Sequence, residues 1–184
     1  MLASILRLIP VVALAALLGA CASGVTRMDA PAPGIAGAAV ASTRGAATGP
    51  VQSVNLWLNA DAKKALAENI KFNPDTLKST IERTLQARDL VKPDSGRTLD
   101  VEITAMRVRS NFTAVMFGFM AGSDNVEGVV TIKDSAGQVV KKAKVNASYA
   151  LGGLAGGQDD ARMGWIYEEF AKHASAEVSG VPVK

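Results

Sequence analysis

The chain has 184 residues, of which 48% are hydrophobic, 20% charged and 5% aromatic, with one cysteine, one histidine and a net charge of +3. A single cysteine excludes an internal disulfide and any multi-cysteine metal site, and so small a net charge creates no field suited to nucleic acid. After the first fifty residues, the length remaining suits one domain.

Arg7, the apolar stretch Leu8 to Leu18 and the small residues after it have the three parts of an export signal. The stretch is short of the roughly 20 apolar residues needed to cross a bilayer. Leu18-Gly19-Ala20-Cys21 resembles a bacterial lipobox. Residues 1–20 are therefore expected to be cleaved, and Cys21 to receive lipid on its sulfur and its new amino terminus. Several acyl chains anchor a protein stably where one binds only marginally. Ala22 stands where the sorting rule of that pathway places Asp for inner-membrane retention, which favours the outer membrane. Residues 21–49, rich in Ala, Gly, Ser, Thr and Pro, read as a lipidated flexible tether. A coil of roughly 28 residues has an end-to-end distance of about 30 Å, enough to hold a domain clear of the headgroups.

The domain spans 50–184. Val51, Val54, Leu56, Trp57 and Leu58 form a β-prone run behind Pro50. A short helix follows from Asp61, with Ala62, Ala65, Leu66 and Ile70 as its apolar side. The next helix opens on Asn73-Pro74-Asp75, a capping side chain, a proline where no donor is needed and an acid at the positive end of the dipole. Leu77, Ile81 and Leu85 repeat every four residues and require a surface to bury against. Leu99, Val101, Ile103 and Ala105 alternate with polar residues, and Met106 then breaks parity, so a bulge is expected near Ala105-Met106. Val126, Val130 and Ile132 make another strand. Asp134-Ser135-Ala136-Gly137 turns the chain into Val139, Ala143, Val145, Ala147 and Tyr149. A last helix runs from Asp159 to Glu177, with Met163, Ile166, Tyr167, Phe170 and Ala174 on one side. The class is α+β, a single mostly antiparallel sheet of about four strands packed by two main helices, in the order strand-helix-strand-strand-strand-helix.

The stretches Val54-Asn55-Leu56-Trp57-Leu58 with Ala62-Lys63-Lys64, Lys71-Phe72-Asn73, Arg107-Val108-Arg109-Ser110 and Ser148-Tyr149-Ala150-Leu151-Gly152-Gly153 resemble an uncharacterised proteobacterial lipoprotein family, a domain of unknown function. The order of elements is also similar to the amino-terminal domain of TolB and to the periplasmic domain of CsgG-like secretion lipoproteins. These resemblances imply a place in the cell envelope.

Between two strands, the segment from Phe112 to Gly122 is almost wholly apolar. Phe112, Val115, Met116, Phe117, Phe119 and Met120 are candidates for contact with a partner protein, a like subunit or the membrane; burial as core is the alternative. Gly156 and Gly157, ahead of the last helix, are candidates for an anion-binding turn, against a plain flexible turn capped by Asp159 or Asp160. The segment lacks both the phosphate-loop Lys and the dinucleotide spacing. Arg107, Arg109, Lys133, Lys142 and Lys144 are expected on one basic side of the sheet. His173 has no acidic or nucleophilic partner in sequence, and a structural role is expected for it. No metal ligands, catalytic set or cofactor are predicted. The reading is a non-enzymatic outer-membrane lipoprotein facing the periplasm, an assembly, scaffold or accessory subunit; the alternative is a binding module for glycan or lipid.

Overall fold

Five strands and three helices make up the domain in the computed structural model, which describes residues 23–28, 48–110, 122–150 and 159–183. In chain order these are β1 (Gly24–Arg27), β2 (Ser53–Leu58), α1 (Ala60–Glu68), α2 (Pro74–Gln86), β3 (Thr98–Arg107), β4 (Asp124–Lys133), β5 (Val139–Tyr149) and α3 (Asp159–Ser179). A single turn of 3-10 helix at Pro93–Ser95 precedes β3. The α+β class is as read from the sequence. The sheet has one more strand than expected, and α1 is a helix in its own right.

Local chemistry fixes the helix starts. The Asn59 side chain accepts from the Ala62 amide at 2.8 Å, and Asn73 from the Thr76 amide at 3.0 Å, each satisfying an amide that the helix itself leaves without a partner. Pro74 occupies the first turn of α2 and Asp75 follows it. Leu77, Ile81 and Leu85 are fully buried, as their spacing demands.

The strands lie in the order β1-β5-β4-β3-β2. β2 pairs parallel with β3, because α1 and α2 carry the chain back between them; the other pairings are antiparallel. In β3, Ile103 pairs with Gly128 and Ala105 with Glu127, leaving Thr104 as the extra residue. The bulge thus falls one residue before the expected place. It has the expected effect, since Ile103 and Met106 both reach the core. α1 packs on β3, α3 on β5 and β4, and α2 on β2 and α3. Leu99, Val101, Val126, Val130, Val145 and Ala147 meet Ile81, Leu85, Ile166 and Phe170 between these layers.

Two expectations are corrected. Gly24–Arg27, inside the segment read as tether, is an edge strand with Gly24 opposite Asn146 and Arg27 opposite Ala143. Met28 donates its amide to the Lys142 carbonyl at 3.1 Å, and Gly49 donates to the Val178 carbonyl at 2.8 Å. Residues 29–47 therefore connect two points of the domain. The basic side of the sheet is also balanced by acids. Lys133 pairs with Asp100 at 2.6 Å and Lys144 with Glu127, while Asn55 donates to Asp100 at 2.8 Å. Arg109 is not on that side at all, being buried.

Gly128 lies on the core face of β4, where a Cβ would stand 2.9 Å from the Glu102 carbonyl oxygen and 3.0 Å from Phe170 Cζ. Gly128→Ala is expected to destabilise the fold by about 1–3 kcal/mol through overpacking. A lower urea midpoint with an unchanged slope is the expected result in equilibrium unfolding.

Candidate functional site

Cys21, the residues Phe112, Val115, Met116, Phe117, Phe119 and Met120, and Gly156 and Gly157 all lie outside the described residues. Their flanks are described, and they converge. The 111–121 segment leaves after β3 and returns just before β4, while the 151–158 segment leaves after β5 and returns at α3. Asp124 and Tyr149 are register partners, so both segments depart from the same end of the sheet.

A buried ionic cluster occupies that end. Arg109, just past β3, donates from its backbone amide to Asp124 Oδ1 at 2.6 Å. Its guanidinium reaches Asp124 Oδ2 at 3.1 Å, the Gly122 carbonyl at 2.7 Å and the Tyr149 carbonyl at 3.2 Å. Arg162, in the first turns of α3, donates to the Arg109 carbonyl at 2.9 Å and places Nη1 3.6 Å from Asp124 Oδ2. The side chains of Arg109, Asp124 and Arg162 are 1%, 0% and 0% exposed. One carboxylate and two guanidinium groups thus hold β3, β4, β5 and α3 together where the two segments begin and end. Planar guanidinium suits this role, because its fixed fork reaches a carboxylate and carbonyls at once. The cluster is not foreseen by the sequence pattern, whose only signal for it is an arginine and an aspartate on opposite sides of an apolar run.

Elsewhere, α3 carries further buried polar groups. Tyr167 Oη accepts from the Asn73 amide at 2.7 Å, and the ring meets Phe72 edge-on with centroids 5.7 Å apart. Burial pushes the Tyr167 phenol above its usual 10.0, with the Asn73 hydrogen bond acting in the opposite direction. His173 is 8% exposed, with Nε2 3.3 Å from Glu169 Oε1. An acidic partner one helical turn back therefore exists, contrary to the expectation that His173 has none. Glu177, 3% exposed, pairs with Lys141 at 2.9 Å and with Arg27 of β1 at 3.5 Å.

Beside Glu177 a groove of about 520 Å³ runs between β1 and the end of α3, lined by Val25, Arg27, His173, Ala176, Glu177 and Pro182. Its polar side chains are those of Thr26, Arg27, His173 and Glu177, set among Val25, Ala176, Pro182 and Val183. Among the described residues, no three His, Cys, Asp or Glu side chains come together so as to hold a metal ion.

Residues 28–153 match the family described as domain of unknown function DUF4410. The chain belongs to the DUF4410 family. The DUF4410 match begins as β1 ends and stops before α3, so Arg109 and Asp124 fall inside it and Arg162 beyond it. No curated protein matches the chain. Among solved structures, it is similar to two PelC dodecamers from Paraburkholderia phytofirmans, one of them a point variant. Sequence identities are 17% and 16% and TM-scores 0.46 and 0.45, with 86% of this chain and 98–99% of each PelC chain covered.

The buried groups set large and small effects apart. Asp124→Asn leaves two guanidinium groups without their carboxylate and is expected to cost about 3–5 kcal/mol. Lys78→Ala, which breaks the exposed Lys78–Glu82 pair, is expected to cost about 0.5 kcal/mol or less; comparable losses for the two variants in urea unfolding would contradict the assignment. Because the folded-state pKa of Tyr167 is raised, the unfolded chain loses that proton first, so its contribution is intact below pH 10.0 and falls away above it. The stability difference between the parent chain and Tyr167→Phe should therefore shrink as the pH is taken above 10.0.

Proposed function

We propose that this DUF4410 protein is an outer-membrane lipoprotein, anchored through Cys21, whose α+β domain faces the periplasm as a non-enzymatic assembly, scaffold or accessory subunit. The observation that carries the reading is Leu18-Gly19-Ala20-Cys21 behind an Arg7-led apolar run. Three acyl chains on Cys21 would supply the attachment. The role as a subunit is supported by the two sheet edges, β1 and β2, which offer backbone groups to a neighbouring strand. Exposed Trp57 beside the β2 edge adds an aromatic anchor of the kind enriched at interfaces.

A second reading is favoured by the groove between β1 and α3. Its volume falls in the range of small-molecule sites, roughly 300–1,000 Å³, and Arg27, His173 and Glu177 provide polar contacts for a glycan or lipid headgroup.

Cys21→Ala is expected to abolish incorporation of labelled fatty acid and to move the protein from the membrane fraction to the soluble one. Extraction of the parent protein in mild detergent, followed by native mass measurement, separates the two readings. An assembly larger than the monomer supports the subunit role, and a monomer that saturates with glycan or lipid supports the binding module.

A further inference from the structure

We infer that the end of the sheet where β1 begins lies flat against the bilayer, with Trp165 and Ile70 at headgroup level. The inference rests on the reading of Cys21 as the lipid anchor and specifies what that anchor does to the domain.

Ser23 is already bound to the domain. Its hydroxyl accepts from the Ser148 amide at 2.9 Å and donates to the Ser148 carbonyl at 3.4 Å, and β1 starts at the next residue. Only Ala22 separates Ser23 from Cys21, so the two steps between them reach about 7 Å at full extension. A free tether of the length suggested by composition would instead give about 30 Å. An acyl chain on Cys21 therefore has too little lead to let the domain stand away from the membrane. The face presented must be the one from which Ser23 emerges.

That face is defined by register. Ser148 pairs with Asn125 and Asn125 with Arg107, so the start of β1, the end of β5, the start of β4 and the end of β3 form one edge. At a strand spacing of about 4.8 Å this edge spans about 14 Å. The turn after α1 joins it, since Val108 donates its amide to Asn69 Oδ1 at 2.6 Å. Ile70, in that turn, is 83% exposed. Trp165, on the first turns of α3, is 39% exposed and packs on Tyr149 with centroids 5.1 Å apart. An apolar side chain and an amphipathic indole are thus held at the end nearest the anchor, the composition favoured at a membrane–water boundary. Trp57 is equally exposed but sits on the strand farthest from β1, opposite Glu102 in mid-sheet.

The two tryptophans of the chain make the test direct. The full-length protein, purified from membranes, is inserted into phosphatidylethanolamine–phosphatidylglycerol vesicles whose acyl chains carry bromine near the headgroup. Trp57→Phe leaves Trp165 as reporter, and Trp165→Phe leaves Trp57. Bromolipid is expected to remove most of the Trp165 emission and none of the Trp57 emission. Equal emission loss from both, or loss from Trp57 alone, would overturn the orientation. A nitroxide on Ile70→Cys, read by its relative accessibility to oxygen and to a water-soluble nickel complex, gives the same decision without altering either tryptophan. The mass of the amino-terminal peptide from the same preparation separates the failures: an unacylated Cys21 removes the anchor itself, whereas an acylated Cys21 with unquenched Trp165 removes the orientation alone.

Discussion

The Arg109–Asp124–Arg162 cluster is the constraint on which one whole end of the domain depends. Charges this deeply buried are tolerated only when paired and hydrogen-bonded, because desolvation costs several kcal/mol per ion. Here the groups that complete the pairing are themselves structural: the Gly122 and Tyr149 carbonyls at strand termini, and the Arg109 carbonyl that receives Arg162. The strands, α3 and the cluster must therefore form together. A hydrophobic plug of similar volume could fill the space, but it would not satisfy carbonyls that have left the sheet ladder. The ions finish the backbone hydrogen bonding at the place where two long connections interrupt it.

The periodic elements are legible in the sequence, because burial on one side imposes a repeat. Leu77, Ile81 and Leu85 mark α2, Leu99 to Ile103 mark β3, and the parity break at Met106 marks a bulge. β1 is not legible. Gly-Val-Thr-Arg is too short to show alternation, it sits among alanines and glycines, and what makes it a strand is Ser148 and the open edge of β5, far along the chain. The ionic cluster is hidden for a related reason. Arg107 and Arg109 share a strand parity that reads as solvent, yet the chain leaves β3 between them, and parity no longer predicts direction once the ladder ends. Lys133 and Lys144 fall on the side that alternation assigns them, while their neutralisation by Asp100 and Glu127 depends on a register that only the fold supplies.

The two ends of the sheet are held by different means. At one end the ionic cluster fixes the flanks of 111–121 and 151–158 by locking β3, β4, β5 and α3 to one another. At the other, Glu177 ties α3 to β5 through Lys141 and to β1 through Arg27, closing the groove on the side of the edge strand. The Arg27 contact is long at 3.5 Å and its side chain is 61% exposed, so it contributes far less than the Lys141 pair. β1 is consequently held mainly by its backbone pairing and by Ser23.

That balance bears on how an anchor would act. A lipid attached beyond a slack tether transmits neither force nor orientation, and the domain behaves as a solute confined near a surface. A lipid attached two residues before a hydrogen-bonded serine pulls on the first rung of the sheet. Load would pass from β1 into β5 along a ladder in which bonds share it, and from β5 through the Tyr149 carbonyl to Arg109 and Asp124. The same edge is where the apolar run Phe112 to Met120 joins the domain. Cys21 and that run lie far apart in the chain, and the register of β1 on β5 puts their attachment points on one edge. With Cys21 as the anchor, the two steps from it to Ser23 would count for more than the length of the Ala- and Gly-rich segment that follows Met28, because β1 lies between them.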